Sequence, residues 1–298
     1  MTQHILALSM LALSGLLLAG RLEAAGPLDG VERFQVGDAA VWAIADSLGD
    51  RDMNVFPQAD PEAVRRYVPS GKAPSAIMVY AVQAGGETIL IDTGLGGGRT
   101  TRLMLGLAQA GINPEKVGLI LITHMHGDHI GGLLVEGKKA FPNAKVKIGR
   151  RESAFWLSDQ ARRENPSRQG NFDLAKQVAD AYAGAMEFFD FEDLVAPGFQ
   201  AMEAVGHTPG HTAFLFESRG ERLLFIGDLL HAAALQFPRP DINASYDMNP
   251  EQAAATRRRL LELAAREKLP VAGIHLPFAG VGRVEKSGEG FSYRPGKD

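Results

Sequence analysis

The chain has 298 residues, 45% of them hydrophobic, enough for a substantial core in one large domain or two small ones. Its 31 basic and 35 acidic side chains give a net charge of −4, so there is no broad basic surface, and nucleic acid is not an expected partner. The chain has no cysteine, which excludes disulfides, a lipidated cysteine anchor and thiolate ligation; any metal ligand must come from His, Asp or Glu.

Residues 5–19 are apolar and rich in Leu and Ala, and small residues follow at Ala24, Ala25 and Gly26. The stretch is short for a membrane span and reads as a secretory signal peptide over residues 1–25. No Lys or Arg precedes it, so an uncleaved anchor is the alternative. The expectation is an exported protein, periplasmic or secreted, whose mature domain is 26–298 and which has no membrane attachment after cleavage.

Residues 31–46 alternate apolar and polar, as paired strands do. Pro61–Tyr67 reads as a short helix. Residues 77–82 and 88–92 flank Gly85-Gly86 and read as a hairpin. The second of these strands runs into Asp92-Thr93-Gly94-Leu95-Gly96-Gly97-Gly98. This glycine-rich loop lacks the Lys-Ser/Thr of a phosphate loop and the spacing of a dinucleotide fingerprint. Asp92 is either an acceptor for a ligand imidazole or a turn carboxylate. Residues 102–110 have helical spacing and stop at Gly111.

The apolar run 117–122 reads as a buried strand. Directly after it comes Thr123-His124-Met125-His126-Gly127-Asp128-His129-Ile130-Gly131-Gly132, with three histidines and a carboxylate in six residues. On extended backbone His124 and His126 point the same way and can grip one ion, while Asp128 and His129 at the next helix start face a second. The glycines permit the tight path. Lys145–Gly149 reads as a strand, 151–157 as a helix start, 159–170 as an exposed charged loop, and 172–186 as a helix.

Strand patterns return at 200–205, 213–216 and 222–228. Residues 229–248, with Pro238 and Pro240, have no regular period and are long enough to wall an active site. Residues 250–268 form a strong helix with Asn249 as N-cap and Pro250 at the first position. Residues 269–275 are a last apolar strand. His207 lies in Gly206-His207-Thr208-Pro209-Gly210-His211-Thr212; Asp228 and His275 each end an apolar run. Seven such groups at strand ends suit two metal ions roughly 3.5–4 Å apart. The two strand-rich halves suggest two sheets packed face to face with helices outside.

The combination H-x-H-x-D-H, H-T-P-G-H, strand-Gly-Asp and strand-His resembles the metallo-β-lactamase superfamily. The resemblance implies an α/β fold, an αββα sandwich of two mixed sheets, with a dinuclear site that usually holds zinc. It places His124, His126 and His207 on one metal and Asp128, His129 and His275 on the other, with Asp228 between them. A hydroxide held by the two ions is the implied nucleophile, and Asp128 the implied proton relay to the leaving oxygen. His211 is expected beside the ligands, not among them.

Residues 227–238, 253–260 and 275–282 resemble the methyl parathion hydrolase group with its lactonase and arylesterase relatives. By that resemblance Trp156 and Phe237 line an apolar pocket, ordinary core packing being the alternative for each. His231, three residues past Asp228, either points into the cleft or is a satisfied surface or core histidine. The implied activity is opening of a lactone or aryl ester, N-acyl homoserine lactones and dihydrocoumarin-like compounds included. Organophosphate triester hydrolysis ranks second, ahead of β-lactamase, thioesterase or non-catalytic metal binding. Related lactonases pair, so a homodimer is expected.

Overall fold

In the computed structural model, residues 29–96 and 102–296 are described. The expected leader and part of the glycine-rich loop (Gly97, Gly98) lie outside the described residues. Among the described residues no helix is long and apolar enough to cross a membrane.

Strands β1 (Val31–Val36), β2 (Ala39–Asp52), β3 (Lys72–Ala84) and β4 (Glu87–Ile91) form an antiparallel meander. Parallel strands β5 (Leu119–Ile122), then β8 (Lys145–Gly149) and β9 (Met186–Phe189) complete the first seven-stranded sheet, while β6 (Leu134–Val135) and β7 (Lys138–Lys139) make a separate small ribbon. The second sheet runs β10 (Leu194–Ala196), β11 (Phe199–Glu203), β12 (Thr212–Ser218), β13 (Glu221–Gly227), β14 (Pro270–Gly273), β15 (Val281–Ser287) and β16 (Gly290–Pro295). Its neighbours are antiparallel except β13 and β14.

Period-two alternation explains how these strands stack into layers. Ile89, Ile91 and Leu121 turn inward, with Tyr80 and Val82, against Phe199, Phe214, Phe216 and Phe225 of the second sheet. The residues between them, Leu90, Ile120 and Ile122, turn outward. They meet Leu103 and Leu107 of α2 (Arg102–Gln109) and Phe172, Ala175 and Val178 of α6 (Gln169–Ala181). On the other side Leu224 and Ile226 meet Leu260, Leu261 and Ala264 of α8 (Pro250–Glu267). Both faces of the central strands are covered, so they read as unbroken apolar runs. The result is the expected αββα sandwich.

Helix α8 is capped as its sequence suggests, with Gln252 N–H donating 3.1 Å to Asn249 Oδ1 and Lys268 in the left-handed conformation at its end. Elsewhere the structure departs from the sequence reading. The segment 159–170 is not a loop: α5 (Asp159–Glu164) forms there, capped by Ala161 N–H donating 3.2 Å to Ser158 Oγ, and α6 begins at Gln169. A helix that is polar nearly all round has no apolar stripe to betray it. The expected 172–186 helix ends at Ala181, and Met186 opens β9. The β2–β3 hairpin also runs past the alternating core, pairing Leu48 to Asp52 with Ala76 to Lys72.

Gly131 and Gly132 of the histidine-rich loop serve close approach. Thr93 N–H and Oγ1–H both donate 2.8 Å to His129 O, and Gly132 N–H donates 3.2 Å to Gly94 O. A Cβ on Gly132 would overlap the Thr93 carbonyl, whereas one on Gly118 would meet open space. Gly132→Ala is therefore expected to cost about 2 kcal/mol or more of stability by forcing the two loops apart, and Gly118→Ala less than about 0.5; urea unfolding midpoints of the two variants check this.

Candidate metal centre

Parallel pairing brings the site together. Because β4 and β5 run side by side, Asp92 and Thr123 follow their ends as neighbours; because β13 and β14 do, Asp228 and His275 follow theirs. His207 arrives on the loop after β11, and Asp128 and His129 lie in α3 (Gly127–Ile130). All seven predicted residues converge, in two groups that share Asp228: His124, His126, His207 with Asp228, and Asp128, His129, His275 with Asp228.

In the first group His126 Nδ1 lies 3.0 Å from both His124 Nε2 and His207 Nε2, and Asp228 Oδ2 lies 3.4 Å from His207 Nε2. In the second, His275 Nε2 is 3.1 Å from Asp228 Oδ2 and 3.3 Å from Asp128 Oδ2, and His129 Nε2 is 3.1 Å from Asp228 Oδ1. His129 Nε2 and Asp228 Oδ1 are buried without a hydrogen-bond partner. Lone pairs facing lone pairs in a dry site are costly unless protons or a cation lie between them. The donor set, five imidazoles and two carboxylates, fits divalent cations of the zinc type.

The surroundings fix which nitrogen four of the five rings turn inward. Asp92, held at a positive φ of 58°, accepts from His129 Nδ1–H at 2.8 Å and from Thr123 N–H and Oγ1–H, each at 2.8 Å. Having donated, the Thr123 hydroxyl accepts from His124 Nδ1–H at 3.1 Å. His207 Nδ1–H donates 2.9 Å to Asp247 Oδ1, and His275 Nδ1–H donates 3.0 Å to Ala76 O. This turns Nε2 of His124, His129, His207 and His275 toward the centre, where each offers a lone pair once any proton on it is displaced. Asp92 thus takes the imidazole-acceptor role, the first of its two sequence readings.

His211 sits beside the centre. Its Nδ1–H donates 2.8 Å to Ala204 O, and its Nε2 accepts 3.0 Å from Asp228 N–H, so both nitrogens are spent positioning the Asp228 backbone. Burial, reinforced by the neighbouring His207, pushes this imidazole down to about 3, which keeps it neutral and able to accept. The ring lies where a Cβ on Gly227 would go, which is why glycine precedes Asp228.

Three residues that sequence reasoning missed brace the cage. Buried Glu152, in α4 (Arg150–Trp156), accepts four hydrogen bonds: from Met125 N–H (2.9 Å), Trp156 Nε1–H (2.6 Å), Thr208 Oγ1–H (2.7 Å) and Gly210 N–H (2.9 Å). It ties the His124–His126 loop to the His207–His211 loop. Burial pushes its carboxyl up, while the four donors favour the charged form. Asp247 also accepts 3.1 Å from Arg257 Nη2, and fully buried Arg257 donates further to Leu229 O, Pro240 O and Ile242 O. None of the three has a local motif: apart from Trp156, one helical turn on from Glu152, and Ala244, whose N–H donates to Asp247 from three residues back, their partners are 10 to 58 residues away.

Two expected pocket residues lie elsewhere. Trp156 is buried behind His126, edge-on at 5.4 Å between ring centroids, with its indole N–H committed to Glu152. Phe237 stacks on Tyr293 at 4.6 Å in the layer beneath α8. Both belong to the core because flanking aromatics fill their rings' surroundings. His231 does reach the site: it lines a cleft of about 630 Å³ beside Asp128, Asp228 and His275, with Nε2 3.2 Å from Asp228 Oδ2. Tyr246, on the aperiodic 229–248 segment, lines the same cleft.

Charge is unevenly spread among the side chains of the centre. Burial would lower His129, but Asp228, Asp92 and Asp128 outweigh it and hold the ring well above its ordinary value. Against the same burial penalty, Asp228 and Asp128 push His275 up to about 9. Burial and neighbouring imidazoles hold His124 and His126 well below theirs.

Together the sandwich and the strand-end cluster of imidazoles and carboxylates define a metal-dependent hydrolase. The metallo-beta-lactamase superfamily profile matches residues 73–275, well over half the chain, and the chain belongs to that superfamily. Among curated relatives, a hydroxyacylglutathione hydrolase of Francisella tularensis subsp. novicida (strain U112) is 37% identical over 141 residues, 45% of this chain; the match spans 44% of that enzyme. Among solved structures, a hydrolase, AbOPH, of the β-lactamase superfamily superposes with a TM-score of 0.83 at 29% identity, covering 91% of this chain and 99% of that one. A dizinc quorum-quenching lactonase, AidC, solved with a product, superposes with a TM-score of 0.82 at 27% identity, covering 90% and 98%.

Three measurements test the centre. Glu152→Gln places an amide N–H₂ among four donors and is expected to weaken metal binding ten- to a hundredfold and to cost about 1–3 kcal/mol of stability; competition with a chromogenic chelator and urea unfolding report the two effects. Below about pH 9 the cation-free His275 carries a proton that an incoming cation must displace, so apparent affinity is expected to rise with pH up to that value. Calorimetric titration of metal in buffers of different ionisation heat should show net proton release at pH 7; none would sink this reading.

Proposed function

We propose that the chain is a dinuclear zinc hydrolase that opens lactones and aryl esters, with organophosphate triesters as a second substrate class. The observation that carries this is the placement of Asp228: Oδ1 faces His129 while Oδ2 faces His207 and His275, so one carboxylate serves both ligand groups. The likeness to AidC, described as a dizinc lactonase, supports the lactone reading.

Two bound divalent ions supply Lewis acidity toward the carbonyl oxygen and make water nucleophilic at neutral pH. The chain's own groups do the rest. Asp128, with a side chain 27% exposed against 3% for Asp228, is the ligand carboxylate open to the cleft. It accepts the proton that the attacking water gives up and passes it, on a carboxylate oxygen, to the departing alkoxide. Asp92 and Asp247 keep His129 and His207 from turning. His231 and Tyr246 put an imidazole and a phenol on the cleft wall, which suits an ester carbonyl. With Trp156 and Phe237 in the core, no aryl-lined pocket forms from them, and this ranks phosphotriesters second.

The test is a rate panel on zinc-loaded protein: dihydrocoumarin, an N-acyl homoserine lactone, methyl parathion, a cephalosporin and a glutathione thioester. The expected result is kcat/KM for a lactone at least tenfold above that for methyl parathion. Turnover of the cephalosporin or the thioester alone overturns the assignment.

A further inference from the structure

The cleft has a cationic wall that the metal centre does not use. Arg51 stands in the polar extension of β2, and Arg168 ends the short turn Pro166–Arg168 that leads into α6. Both line the cleft, and both are fastened to Tyr246: Arg51 Nη1 donates 3.5 Å to its hydroxyl, and Arg168 Nη2 donates 3.3 Å to its carbonyl. Arg51 Nη2 lies 3.3 Å from His275 Nδ1, placing a guanidinium one imidazole ring away from the centre.

Among the described residues neither arginine forms an ion pair, although both are half-buried, and the buried Nε of Arg51 has no partner. Arg257, the guanidinium buried nearby, shows how this chain settles such a charge: a carboxylate and three carbonyls surround it. Two unpaired guanidiniums beside a centre suited to divalent cations repel it unless an anion lies between them. The planar fork of arginine matches a carboxylate in two-point contact.

We propose that Arg51 and Arg168 read a carboxylate carried by the substrate away from its scissile bond, so that the cleft is selective for carboxylate-bearing esters or lactones. This rests on the hydrolase reading above and narrows its substrate class. The wall holds one end of the molecule while the centre acts on the other, and binding falls with salt because part of it is charge pairing.

The test uses 4-acetoxybenzoate and its methyl ester, which share the scissile acetyl group and differ in the carboxylate. Zinc-loaded wild type is expected to favour the acid at least tenfold in kcat/KM, through KM, with the preference shrinking as salt is raised. In Arg168→Met and Arg51→Met that ratio is expected to fall at least tenfold, with zinc content retained. A second readout is calorimetric binding of terephthalate to the same proteins, expected to weaken about tenfold in either variant. Equal turnover of both esters with unchanged variants overturns the anion wall and leaves the hydrolase reading standing. No turnover of either ester, with terephthalate binding still dependent on the arginines, overturns the ester reading and leaves the wall. Terephthalate binding and ester ratios that ignore both substitutions and salt overturn the proposal outright.

Discussion

Asp228 is the constraint on which the rest depends. A single buried carboxylate faces imidazoles on either side, within 3.1–3.4 Å of His129, His207 and His275, and no one of these groups can move without disturbing the others. Such a cluster is unfavourable in itself unless protons or cations lie among its inward atoms. The fold compensates with outward hydrogen bonds: Asp92 behind His129, Asp247 behind His207, Ala76 O behind His275, and His211 behind the Asp228 backbone. Each fixes a tautomer or an orientation: Ala76 lies in β3, Asp92 and His211 border strand ends, and Asp247 is tied to α8 through Arg257. The Asp247–Arg257 pair extends this outward into α8, so that helix and His207 are joined through one buried ion pair. Removing one member of such a pair strands the other and typically costs about 3–5 kcal/mol.

Much of this was legible in the sequence because the ligand-bearing stretches are short-range patterns. Three histidines and an aspartate within six residues, placed after an apolar run, announce both the strand and the loop. The central strands were equally plain, since burial on both faces leaves no polar interruption. What stayed hidden has a common cause. Glu152 and Asp247 are single acids whose significance lies in partners 56 to 58 and 40 residues away, and nothing in their own neighbourhoods records that pairing. The β15–β16 hairpin carries Arg283, Glu285, Lys286 and Arg294 on the edge of the second sheet, so its strands lack the apolar run that marked the others. Trp156 and Phe237 show the converse limit: an aromatic near a motif is visible in sequence, but the direction it faces depends on Phe172 and Tyr293, far along the chain.

The cleft and the cage draw on different parts of the molecule. The cage is built from strand ends and held by buried groups; the cleft wall comes from the tip of the β2–β3 hairpin, the turn before α6 and the aperiodic segment around Tyr246. That segment keeps its shape through Gln236, whose side chain accepts from His231 N–H and Ala232 N–H and donates to Ile242 O, and through Arg257. Substrate preference is thereby written on surfaces that can change while the ligands stay as they are.

The inward residues come from both layers: His124, His126, Asp128 and His129 follow a strand of the first sheet, and His207, Asp228 and His275 follow strands of the second. Other bonds cross near that rim as well: Glu152 accepts from Thr208 and Gly210, Thr212 N–H donates 2.9 Å to Thr123 O, Ser75 Oγ–H donates 3.1 Å to His275 O, and Met78 N–H donates 3.0 Å to Ile274 O. A cation bound there works as a clasp on the open end of a folded book. Its departure takes away one fastening of that edge and leaves the hydrogen bonds beside it to hold the leaves together.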